Sequence, residues 1–308
     1  MKPETQAKIL AYLEEIKSLL NSEVNIQSVS LLEDPVFQDI LKLIKSKDWP
    51  VAIVPEFMCD PNIEDDKKNR AENVIDVFIS ESLENKKFLD FGCGEGHMAV
   101  YAASQKTTIS VGYDINQTGT LAWNSTENPY FLTTDLEKMK EKGPYDVILI
   151  YDVLDHCADP INVLIQAKSV LTNNGKIYLR THPWISRHGG HLYQQGQLYR
   201  QLNKAFIHLI LTEEELKTIG IEPETTPNQK VLSPIMTYEN WIKKAGLAIV
   251  YKHTEPQDVE PIINNKIIAK KIYQRFPNFL IESENHPAKP PIFQMSQNFL
   301  DYTLKKSS

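Results

Sequence analysis

The feature that most constrains the fold lies between residues 87 and 104. Phe88, Leu89 and Phe91 make a short apolar run that reads as a buried strand. It carries Asp90 near its end and breaks at once into Gly92-Cys93-Gly94-Glu95-Gly96. Residues 97–104 then read as a helix. Glycines let another molecule approach the backbone closely, and a helix start offers free N–H groups. A buried strand of this kind needs neighbours in a sheet and a covering layer on each face.

The rest of the chain supplies them. Strands are expected at 87–91, 108–114, 130–134, 145–151 and 175–182, with helices at 97–104, 116–124, 136–141 and 159–171 between them. Asn173-Asn174-Gly175 reads as a turn before the fifth strand. A helix at 237–245 precedes a sixth strand at 247–252, and 299–305 is expected as a seventh on the far edge. The pattern is α/β, a doubly wound and mostly parallel sheet. Before it, 3–20, 35–44 and 65–80 show helical spacing, the last with Ala71, Val74, Ile75, Val77 and Phe78 inward. Residues 1–87 hold 11 Lys and Arg against 17 Asp and Glu. The expected organisation is a helical, acidic extension or cap over 1–84 and one α/β domain over 85–308, with insertions at 183–230 and 254–298.

Composition narrows the function. A net charge of −7 over 308 residues argues against a protein that coats nucleic acid. Cys59, Cys93 and Cys157 are too few and too scattered for a disulfide framework or zinc cluster, which points to reduced thiols in the cytoplasm. The first residues begin no apolar signal, and no run reaches the ~18 apolar residues of a membrane span.

In sheets of this class ligands bind beyond the carboxyl ends of the strands. Those ends are acidic: Asp90, Asp114, Asp135 and Asp152. The glycine spacing is G-x-G-x-G, with His97 where a dinucleotide fingerprint has its third glycine. Carboxylates around such a turn disfavour a pyrophosphate and suit a ligand with an ammonium and a sulfonium, as in S-adenosylmethionine. Asp114 is suited to ribose hydroxyls and Asp135 to an exocyclic amine. Asp135 also has the sequence position of a helix cap.

This set resembles the class I S-adenosylmethionine-dependent methyltransferases. The matching residues are L-D-F-G-C-G-E-G at 89–96, G-Y-D at 112–114, T-D-L at 134–136 and Y-D-V-I-L-I-Y-D-V-L-D-H at 145–156. Residues 85–182 carry the likeness well and 237–252 loosely, and the flanks faintly resemble bacteriophage methyltransferases. The resemblance implies the seven-stranded Rossmann-like sheet and S-adenosylmethionine as cofactor. It implies a cofactor site of Asp90, Gly92, Cys93, Gly94, Gly96, Asp114, Ile115, Asp135, Leu136 and Tyr151. Arg70 and Glu56 are candidates to close it.

Methyl transfer needs an aligned acceptor and somewhere to put its proton. Candidate catalytic residues after the fourth and fifth strands are His156, His182 and Asp152. Residues 160–212 contain no Asp or Glu but carry Lys168, Lys176, Arg180, Arg187, Arg200 and Lys204. Arg187, His188, His191 and Tyr193 are therefore the expected substrate-binding set, and an anionic small acceptor bearing carboxylate or phosphate is favoured. His182, His188 and His191 have no defensible metal spacing, so no metal is expected. The N-P-P-Y motif of DNA amino-methyltransferases is missing after the fourth strand, as are a Pro-Cys nucleophile and a P-loop. The leading expectation is methyl transfer to oxygen or nitrogen of a small acceptor. Methylation of RNA, a cap or a nucleotide is the runner-up, followed by a binding or structural protein without turnover. A dehydrogenase is disfavoured by Asp90 and the glycine spacing.

Overall fold

The computed structural model describes residues 33–52, 63–190, 203–221, 231, 234–276 and 297–307. The helices are α1 (Pro35–Lys45), α2 (Glu64–Asn73), α3 (His97–Ser104), α4 (Leu136–Lys142), α5 (Pro160–Ser169), α6 (Ile207–Ile210), α7 (Glu213–Thr218), α8 (Pro234–Lys244), α9 (Glu260–Ile263) and α10 (Lys266–Arg275). The strands are β1 (Lys87–Phe91), β2 (Ile109–Tyr113), β3 (Tyr130–Thr133), β4 (Tyr145–Tyr151), β5 (Leu171–Thr181), β6 (Leu247–Pro256) and β7 (Gln297–Lys306). They form one seven-stranded sheet in the order β3-β2-β1-β4-β5-β7-β6.

β1 to β5 pair in parallel, and β7 runs antiparallel to both β5 and β6. The seventh strand thus sits between β5 and β6 rather than on the far edge. The period of two along each strand divides the core. Leu89, Phe91, Ile148, Ile150, Ile177 and Leu179 face one side, under Leu164, Ala167, Tyr238 and Ile242 of α5 and α8. Phe88, Val147, Leu149 and Tyr178 face the other, under Val74, Ile75, Ile79 and Ala102.

Three local expectations change. Residues 116–124 form bends and no helix. Asn116, Thr118 and Thr120 are weak helix formers, and Gly119 and Asn124 adopt φ of 72° and 57°. The helix through α2 widens into a π-helical stretch over Val74–Ile79 and stops at left-handed Ser80. The wider turn shifts the helical phase, so Val77 faces solvent while Val74, Ile75 and Ile79 stay buried. Asn173-Asn174-Gly175 lies inside β5 as a bulge: Tyr145 pairs with Leu171, and Val147 already pairs with Lys176.

The described residues before β1 join two different cores. The π-helical stretch after α2 packs on the sheet. Phe37, Ile40, Leu41 and Ile44 of α1, with Trp49, pack on Trp184, Ile185, Phe206–Leu211, Ile262, Ile268 and Ile272. The backbone stitches this second core together, Ala205 N–H donating to Pro50 O at 2.9 Å and Ala52 N–H to Asn203 O at 3.3 Å. Residues 3–20 lie outside the described residues.

Candidate active site

The glycine turn leaves β1 under strict steric control. Gly92 has φ of 87°, and a Cβ there would stand 2.4 Å from a Val153 methyl. Gly96 has φ of 90° and faces Leu132 at 2.6 Å. Gly94, with φ of 52°, looks onto open space. The turn is thus packed at both ends and open in the middle. Gly92 and Cys93 N–H donate to Tyr113 O at 2.7 and 3.0 Å, binding the turn to β2.

The acidic side chains divide by environment. Asp114 Oδ2 accepts from Gly94 N–H at 2.9 Å, and Oδ1 from Asn116 N–H at 3.2 Å. Asp135 caps α4, with Oδ1 accepting from Glu137 N–H at 2.9 Å and Lys138 N–H at 3.2 Å. Asp90 is buried, and its Oδ2 has no hydrogen-bond partner among the described residues. Burial, helped by the Asp114 charge and opposed by Arg70, pushes its carboxyl up to about 7. Burial and the same two carboxylates push the Cys93 thiol up, which keeps it neutral. Ile115 is exposed, and Leu136 packs against the main core.

The ends of β4 and β5 build a second cluster. Asp152 adopts φ of 55°, and its N–H donates to Arg180 O at 2.9 Å. A left-handed aspartate directly after a strand is a strained placement of the sort found at functional sites. One carboxylate oxygen meets His182 Nδ1, and the other accepts from Arg70 Nη2 at 3.1 Å. The Arg70 guanidinium also lies over the Tyr151 ring at 5.1 Å. Burial and Asp152 push the Tyr151 phenol up, against the pull of Arg70 and Arg180. The His182 ring packs edge-on against His188 and Phe299 at 4.5 and 4.1 Å. Nδ1 is engaged by the carboxylate, and Nε2 makes no hydrogen bond among the described residues. His156 turns to Asp155 Oδ2 at 3.3 Å.

The expected cationic face does not form among the described residues. Lys176 pairs with Glu81 at 3.2 Å, and Arg180 makes a bidentate pair with Asp301, both contacts 2.6 Å. Burial works against the Arg180 charge, and Asp301 more than offsets it. Arg187 Nε donates to Val51 O at 3.1 Å, Lys204 to Ser46 O at 2.8 Å and Lys168 to Ala245 O at 3.3 Å. Absence of acids in the sequence did not mean absence of acceptors, because backbone carbonyls and distant carboxylates took the charges. Arg187 is thereby a tie between the insertion and the segment after α1, and His188 is buried. His191, Tyr193, Arg200 and Glu56 lie outside the described residues. No group of three His, Cys, Asp or Glu among the described residues could hold a metal.

Composition obscured one element of the site. α2 has a single buried residue, Ala71. Its Glu64, Lys67 and Arg70 reach His97 at 2.9 Å, Glu95 at 2.6 Å and Asp152 at 3.1 Å. Their spacing of three aligns them on one helical face. That spacing on an otherwise apolar-free helix is the only local signal for the arrangement.

A family model described as a methyltransferase domain matches residues 65–252. A tRNA U34 carboxymethyltransferase of Pseudoalteromonas atlantica is 31% identical over 107 residues, covering 33% of each chain. A ubiquinone biosynthesis O-methyltransferase of Yersinia enterocolitica is 29% identical over 115 residues, covering 35% of this chain and 48% of that one. The chain thus spans between a third and a half of the length of these curated relatives. A SAM-dependent methyltransferase from Archaeoglobus fulgidus aligns with 78% of this chain and 94% of its own, at 15% identity and a TM-score of 0.42.

Proposed function

From the premise that the chain belongs to the methyltransferase-domain family, we propose that it transfers a methyl group from S-adenosylmethionine to an oxygen or nitrogen acceptor. The observation that carries this is the open glycine turn beside a buried carboxylate oxygen with no partner among the described residues. S-adenosylmethionine, when bound, supplies an electrophilic methyl carbon on a sulfonium. The residues present fit it. Asp90 would meet its ammonium, and the backbone at Gly92, Cys93, Gly94 and Gly96 would give room for the methionine part. Asp114 would take the ribose hydroxyls, Asp135, Leu136 and Ile115 would flank the adenine, and Tyr151 would stand by the methionine part.

His182 is the proton acceptor in this reading. A proton on Nδ1 donated to Asp152 leaves the Nε2 lone pair for the acceptor's proton. His182 Nε2 would take the acceptor's proton on methyl transfer. The acceptor is a small molecule. The acid-free stretch does not support an anionic character for it, since the described cations there are engaged by carbonyls and distant carboxylates. A second reading, an RNA acceptor, is favoured by the relative named as a tRNA U34 carboxymethyltransferase. Cys93 and Cys157 are free thiols, in keeping with a cytoplasmic setting.

Calorimetry with S-adenosylmethionine tests the cofactor. Tight binding is expected, weakened tenfold or more by Asp114→Ala; no binding by the wild type rejects the reading. S-adenosylhomocysteine release, measured with small acids and RNA in parallel, separates the two acceptor classes.

A further inference from the structure

The Asp152–His182 pair is not self-supporting. Asp152 stands in a left-handed conformation at the end of β4, with its side chain 19% exposed. A carboxylate so placed can swing about its last torsion and exchange His182 for water. Its two oxygens are rigidly related, so whatever fixes one aims the other. Arg70, which comes from outside the sheet on α2, donates to the second oxygen.

We propose that Arg70 is a positioning residue for the base, holding the Asp152 carboxylate so that its other oxygen stays on His182 Nδ1. The proposal rests on the reading of His182 as the proton acceptor. Arg70 is suited to the task because its guanidinium is itself placed over the Tyr151 ring, 5.1 Å from its centroid. The helix that carries it is docked by the neighbouring pairs Lys67–Glu95 and Glu64–His97. One polar helix therefore touches the glycine turn through Glu95 and the base through Asp152. The Arg70 charge also acts on Asp90, the carboxylate of the cofactor turn. The other charged or titratable groups around the dyad are Arg180 and Tyr151 below it, His188 beside His182, Asp301 on β7 and Tyr238 on α8.

The test needs no acceptor. Histidine-selective nitrogen-15 labelling and long-range proton–nitrogen spectra at alkaline pH report the tautomer of neutral His182. In the wild type the Nδ1–H form is expected to dominate. In Arg70→Gln the ratio of Nδ1–H to Nε2–H should fall at least threefold, and Arg70→Lys should recover most of it. Lys67→Gln removes the Lys67–Glu95 pair from the same helix, keeps Arg70, and should leave the ratio unchanged. An unaltered ratio in Arg70→Gln overturns the proposal, as does an equal fall in Lys67→Gln, which would assign the effect to helix docking in general. Calorimetry with S-adenosylhomocysteine on the wild type keeps the two claims apart. If that ligand fails to bind, the methyltransferase reading falls while the tautomer result stands on its own.

Discussion

Asp90 is a buried carboxyl at the cofactor turn, and pH reads out the cost of its burial. Its carboxyl ionises near 3.8 in an unfolded chain and at about 7 in the folded one. Between those values the folded protein keeps a proton that the unfolded chain has lost. Stability therefore falls as pH rises across that window and levels off above it. Asp90→Asn should remove the dependence. Thermal melts at about pH 8 should show a gain on the order of a few kcal/mol, vanishing near pH 4, since each unit of displacement is worth about 1.4 kcal/mol. A variant no more stable than the wild type at the higher pH would show that the charge is relieved elsewhere. The same substitution should weaken S-adenosylmethionine binding, so one residue trades stability for a ligand. Residue identity alone could suggest this role, because an acid one position from a strand end followed by glycines is unusual in a buried run. It could not suggest Arg70, Asp152 and His182 as a set. They lie 82 and 30 residues apart and meet only through the fold.

Elements whose signal is local were legible, and those set by partners were not. The expected limits of β1, β4 and α3 match the structure, because apolar runs and helical spacing declare themselves within a few residues. The position of β7 did not declare itself, since nothing in a strand's own pattern says which neighbours it takes. Its place is fixed by pairing. Arg180 stands opposite Asp301 in the β5–β7 ladder, and the two form a bidentate pair mostly shielded from water. Asp301→Asn leaves a guanidinium without its counter-charge and should cost about 3 kcal/mol in urea unfolding. The double variant Arg180→Met with Asp301→Leu should lose less than the single one. If the single variant is neutral, the pair adds no stability to this ladder. Charge likewise misled at Arg187 and Lys204, because sequence records the cation and not the carbonyl that will receive it.

At the scale of the whole molecule the described residues form one core on each face of the sheet and another gathered from segments far apart in sequence. Trp49 anchors the last: it is buried, and its indole N–H donates to Ala205 O at 2.9 Å. Trp49→Ala should cost roughly 3–5 kcal/mol, concentrated there. Hydrogen exchange should then speed up over α6 and α10 while β1 and β4 keep their protection. Equal loss in both regions would mean that the cores melt as one. The central place of β7 has a consequence for the order of events during synthesis. Among the described residues β6 has no ladder partner other than β7, and β5 has an open flank until β7 arrives. A chain leaving the ribosome has therefore made more than 290 residues before the last two of its seven strands can pair into the sheet. Until then β5 offers nascent neighbours an unpaired edge, the kind that invites aggregation.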